Sequence, residues 1–137
     1  MYPQEKQVCS LDQAKKLVEL GVVLDTYFIW EERTVCGVNH TVLKPRDEPA
    51  IEPRAVYPAP NVAELGVLLT FIVKHNHDLY WFYITKSQDT WRMHWKTSSG
   101  ILLTNEDFAN KSEAQARAEA LIWLLENGHL KPEDLKL

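Results

Sequence analysis

Hydrophobic and polar positions alternate with a period of two from Phe71 to Thr97, in the stretch FIVKHNHDLYWFYITKSQDTWRMHWKT. That period predicts a meander of antiparallel strands. Phe71-Ile72-Val73 opens it, Leu79 to Lys86 forms the second strand and Trp91 to Thr97 the third. The polar runs His75-Asn76-His77-Asp78 and Ser87-Gln88-Asp89-Thr90 turn the chain, and Ser98-Ser99-Gly100 ends it. With an even number of loop residues in both turns, Lys74 lies opposite Leu79 and Lys86 opposite Trp91. One face then carries Phe71, Val73, Tyr80, Phe82, Ile84, Trp91, Met93 and Trp95. The other carries Ile72, Trp81, Tyr83, Thr85, Arg92, His94 and Lys96. An odd-length turn would exchange the faces of one strand. The first face is the expected core, because no other part of the chain offers as much aromatic area.

Helical spacing appears three times. Leu11, Ala14, Leu17 and Val18 follow Ser10, which forms a capping box with Gln13, and Gly21 stops the helix. Val62, Leu65, Leu68 and Leu69 follow Asn61, which pairs with Glu64 in the same way. Ser112 and Gln115 open the longest helix, which ends at Asn127-Gly128. Its inner stripe is Ala114, Ala118, Leu121, Ile122 and Leu125, and Ala116, Ala120, Trp123 and Leu124 widen it, so burial on more than one side is expected. Trp123 and Leu124 could instead face a second subunit. Pro132 starts about one further turn of helix.

Tyr27 to Trp30 is β-prone, Glu31-Glu32-Arg33 is polar enough to turn the chain, and Thr34 to Leu43 reads as the return strand of a hairpin. From Lys44 to Pro60 five prolines interrupt any ladder, so a loop is expected, strapped down by Ile51, Val56 and Tyr57. Ile101-Leu102-Leu103 reads as a short edge strand. Together these elements predict a single α+β domain over residues 1–137, an antiparallel sheet of about four to six strands with helices mainly on one face. The long helix should cover Phe82, Met93 and Trp95.

A net charge of -4 argues against a bulk nucleic-acid binder but leaves room for a local basic patch. No signal peptide and no run long enough to span a bilayer is visible. Cys9 and Cys36 are too few for a disulfide framework and lack metal spacing, which suits reduced thiols in a cytoplasmic protein. Asn39-His40-Thr41 matches a glycosylation acceptor, a match without meaning unless the chain is secreted.

Candidate chemistry is sparse. No nucleophile elbow, phosphate loop or dinucleotide fingerprint is present, and no cofactor is implied. His75, His77 and Asp78 have metal-ligand side chains but lack the last histidine of a His-x-His-x-Asp-His motif, and a polar turn accounts for them. A metal-dependent hydrolase is therefore the least favoured reading. The most specific surface is the second face of the meander, where Trp81 and Tyr83 lie beside Arg92, His94 and Lys96. Such a face suits stacking on bases with phosphate pairing. It equally suits a protein interface, or simple packing of basic stems over the rings.

Two segments carry a resemblance. Tyr57-Pro58-Ala59-Pro60 with Val62-Ala63-Glu64-Leu65-Gly66 resembles a recurring YPAPxxxELG stretch. Ser112 to Ala118 with Leu121 to Gly128 resembles an EAxARAxxLIxLLEN helix. With the Ser10-Leu11 to Leu20-Gly21 start, these are similar to small uncharacterised bacterial proteins of prophage-like or mobile-element regions. The resemblance implies an accessory protein and carries no catalytic residues. The resulting expectation is a small cytoplasmic protein that acts by binding another protein. A nucleic-acid-binding module is the alternative, self-association stays open, and no membrane is involved.

Overall fold

The computed structural model describes residues 4–48 and 53–137. They form an α+β fold with two antiparallel sheets around one long helix. The first sheet has the order β2-β1-β3 and the second β4-β5-β6-β7. The strands predicted for a single sheet are thus divided between two.

Helix α1, Leu11–Glu19, begins with the predicted capping box: Ser10 Oγ accepts from the Gln13 N–H at 3.2 Å, and Gln13 Oε1 accepts from the Ser10 N–H at 3.0 Å. The same Gln13 side chain donates through Nε2 to the Gln115 carbonyl at 2.9 Å, tying α1 to the long helix. Ala14 and Leu17 are buried, whereas Val18 faces solvent, one step off the apolar stripe.

Strand β1, Phe28–Val35, runs straight through Glu31-Glu32-Arg33, and the turn comes later, at Cys36-Gly37. Both turn residues have positive φ, 52° and 77°, as a two-residue hairpin requires. The predicted turn fails because its charges are answered from a distance. Glu31 is fully buried against Lys44, with Arg33 at 3.6 Å, and Glu32 pairs with Lys15 of α1 at 2.5 Å. Strand β2, Val38–Pro45, pairs with one edge of β1, and β3, Pro53–Pro58, pairs with the other. The second half of the expected loop is therefore a strand. Its prolines fit because an edge strand has one side that needs no donors. Tyr57 packs against the core, but Val56 stays exposed and is no strap. Ile51 lies outside the described residues.

Helix α2, Val62–Leu68, keeps its Asn61–Glu64 box and buries Leu65 and Leu68. The second sheet follows: β4, Ile72–His75; β5, Asp78–Ser87; β6, Thr90–Lys96. Its register is the predicted one, with Lys74 opposite Leu79 and Lys86 opposite Trp91. Asn76 and His77 make a two-residue turn with φ of 50° and 69°, and Gln88 takes 55° in the next. The fourth strand is β7, Phe108–Asn110. Ile101-Leu102-Leu103 contributes only a single bridge, Leu102 to Lys96. Phe108 wins the edge position because its ring closes on Trp95 and Trp123.

Helix α3, Glu113–Glu126, lies at the centre and contacts α1, α2, β6 and β7. Ser112 caps it by accepting from the Gln115 N–H at 3.2 Å, but Gln115 does not return the bond; the Ser112 hydroxyl donates to the Lys6 carbonyl at 2.6 Å instead. Ala114, Ala116, Ala118 and Ala120 are all fully buried, so the helix is enclosed on several sides, as its apolar width predicts. Leu124 is buried within the chain and Trp123 partly so, against Phe108 and His129. A one-turn helix, Pro132–Asp134, follows. Beneath α3 sits the expected core face of the meander. Trp95 is 1% exposed, its ring 4.8 Å from Phe82, and its Nε1 donates to the Thr70 carbonyl at 2.9 Å. Two members of that face stay open. Phe71 precedes the first strand and only leans edge-on against Phe82, and Ile84 lies where β5 has outrun β4 and keeps one neighbour strand.

Candidate functional site: the outer face of the second sheet

Alternation along β5 and β6 sends Trp81, Tyr83, Arg92, His94 and Lys96 to the side away from α3. Direct pairing sets Trp81 opposite Lys96, Tyr83 opposite His94 and Thr85 opposite Arg92. All five predicted residues therefore share one face. Ile72 pairs with Trp81 from β4, and Leu79 and Lys74 form the next pair on the same side. Leu102 bridges to Lys96 at the other end.

The apolar side chains here are not covered. Trp81 is 46% exposed and Tyr83 38%, and Ile72, Leu79 and Leu102 are exposed to a similar degree. An apolar strip thus crosses from β4 to the segment after β6. Its cations are held within the face. Lys96 Nζ lies 4.5 Å from the centre of the Tyr83 ring, a cation–π contact. The His94 ring stacks on Tyr83, with centroids 6.1 Å apart and planes 18° apart. Arg92 pairs with Asp107 from the loop before β7. Partial burial lowers the His94 pKa from its ordinary value, and the Lys96 charge pushes the same way, against a smaller opposing pull from Asp107. His94 is therefore chiefly neutral at pH 7.

Leu79 and Lys74 could have been found by continuing the alternation one pair beyond Trp81. Asp107 could not: it lies in an irregular segment, and nothing in its surroundings marks it as the partner of Arg92, fifteen residues earlier.

The other candidate residues are arranged less productively. His75 lies edge-on to His129, with ring centres 5.3 Å apart, and contacts the Asn76 amide. Burial, and then the neighbouring His75, lower the His129 pKa. Among the described residues no group of three or more His, Cys, Asp or Glu side chains is placed to hold a metal ion. Burial pushes the Cys9 thiol up to about 12, so it is an unreactive core residue. Glu31 is enclosed and held between Lys44 and Arg33, with no open path to a substrate. No described helix is long and apolar enough to cross a membrane.

Comparison with family models, curated proteins and solved structures gave no match to this chain.

Proposed function

We propose that this chain is a non-catalytic, cytoplasmic binding protein, of the mobile-element kind its helices resemble, that docks a partner protein on the outer face of β4–β7. The carrying observation is the exposed strip Ile72, Leu79, Trp81, Tyr83 and Leu102 on an antiparallel sheet. Aromatic anchors on a preorganised surface are what protein interfaces concentrate. The charges support a protein more than a phosphate backbone, because Arg92 is engaged by Asp107, Lys96 by Tyr83, and His94 is chiefly neutral. The complementary partner offers an apolar patch with carboxylates at its rim, facing Lys74.

The test is a tagged pull-down from host lysate, with and without nuclease, run beside a Trp81→Ala/Tyr83→Ala variant that melts like the parent. A protein retained after nuclease by the parent and lost by the variant supports the reading. Equal capture by both removes the sheet face from consideration. Self-association appears in the same preparation as a dimer mass that the variant loses.

A second reading has its own observation: Lys74, Arg92 and Lys96 interleave with Trp81 and Tyr83, as on a single-strand-binding sheet. It requires recovered nucleic acid, binding that falls steeply with salt, and a loss on Arg92→Ala/Lys96→Ala. If that variant binds DNA and RNA as the parent does, the nucleic-acid reading ends.

A further inference from the structure

On the opposite side of β6 from the docking face, the strand begins at a cleft. Residues from the starts of β1, β6, α2 and α3 surround a space of about 600 Å³. Phe28, Val62 and Trp91 form apolar walls, and Lys6 and Lys111 stand at the rim. Trp91 shows that the opening is real. It shares its face of β6 with Met93 and Trp95, which are 0% and 1% exposed, yet it is only partly buried. It packs against the edge of the core and keeps one side open.

The charge around this cleft runs against that of the whole chain. Lys86 Nζ sits 4.9 Å from the centre of the Trp91 ring, which adds a third lysine to Lys6 and Lys111. Three carboxylates are close, and Glu64 is spent on the backbone N–H groups of Asn61 and Tyr27. Glu113 already accepts from Arg117 at 3.2 Å, and Asp89 lies 3.8 Å from Lys111 with both partners well exposed, a weak surface pair. Lys6, Lys86, Lys111 and Arg117 thus stand against Glu64, Asp89 and Glu113, a small positive excess on a chain of net charge -4. Small-molecule sites typically enclose roughly 300–1,000 Å³, are chiefly apolar and carry a few polar groups that set orientation. This cleft falls in that size range and sets apolar walls beside polar groups, as an open groove and not an enclosed cavity.

We infer that the cleft binds a small aromatic or heteroaromatic anion. Its ring packs against Trp91 and Phe28, and its carboxylate or phosphate points toward Lys6 and Lys111. The aromatic walls select a flat body and the lysines select the charge, so neither feature alone describes the ligand. The site is separate from the docking face, which uses the alternate residues of the same strands.

Phenyl phosphate and benzoate, each compared with neutral benzyl alcohol and with inorganic phosphate, are the probes. Amide shifts at Val62, Ala63, Lys111 and Glu113, followed by NMR on the full chain, report occupancy. We expect saturable shifts with a Kd of about 1 mM or tighter for an aromatic anion. Lys6→Gln/Lys111→Gln should weaken binding about fivefold and flatten its salt dependence, since two charge-assisted contacts at an exposed rim are removed. Trp91→Leu should abolish ring binding, while Trp81→Ala leaves it unchanged. Absence of saturable shifts with either anion overturns the inference. So does benzyl alcohol binding as tightly as the anions, or inorganic phosphate binding as tightly as phenyl phosphate. If Trp91→Leu fails to fold, the double lysine variant, altered only at exposed positions, decides alone: unchanged affinity rejects the site.

Discussion

The two sheets treat polarity in opposite ways. Around its middle the first sheet is closed on both faces. Trp30 and Leu43 point to the core on one, while Ile29, Glu31 and Lys44 are buried on the other. The second sheet is closed only toward α3, and its outer face leaves Trp81 and Tyr83 in water. Charge is thus enclosed where a structural role would favour hydrocarbon, and aromatic rings are exposed where solubility would favour charge. The first inversion is self-contained, because the carboxylate is ion-paired with Lys44 and Arg33 within the same sheet. The second is not, and that exposed apolar strip is what supports the proposed docking role.

Substitutions should separate the two by their readouts. Glu31→Ala removes the carboxylate that answers the buried Lys44 and the half-buried Arg33 and should cost about 3 kcal/mol or more, read as a lower urea midpoint at unchanged m. Were the cost under about 1 kcal/mol, the first sheet would not depend on its buried charges and the contrast would collapse. Trp81→Ala/Tyr83→Ala should leave stability within about 1 kcal/mol of the parent while removing about 2 kcal/mol or more of partner binding, measured by calorimetry. Loss of folding there would instead make the outer aromatics structural. Arg92→Ala breaks an exposed pair and should change stability by less than about 1 kcal/mol.

The smallest effect concerns pH. His94 and His129 both have folded pKa values below their ordinary value, so the unfolded chain binds protons more readily near neutrality. Stability should be fully present above about pH 6.5 and decline as the pH falls through the lowered folded values. Urea midpoints at neutral and mildly acid pH measure it, and His129→Asn should shallow the decline. A midpoint that rises on acidification would contradict both assignments.

The meander was legible because everything that sets its register is local: period-two alternation and two short polar turns. The five candidate surface residues followed from that register alone. The hairpin of the first sheet was not legible, because Glu31 and Glu32 are answered by Lys44 and Lys15, which the local pattern cannot show. Strand β3 hid behind prolines that only an edge position tolerates. The edge place beside β6 went to Phe108, a choice made by ring packing across the core and not by β propensity in residues 101–103. Asp107, which engages Arg92 on the outer face, was hidden for the same reason.

The buried alanines of α3 constrain how this chain can change over generations. At positions 114, 116, 118 and 120 no surface is left to solvent, so an added methylene has to be taken up by repacking, at a cost of about 1–3 kcal/mol each. The outer residues of β5 and β6 meet no such barrier. Descendants of this chain should therefore retain the spindle of small residues and vary the outer face of the second sheet, so that kinship would be read from the helix and divergence from the sheet.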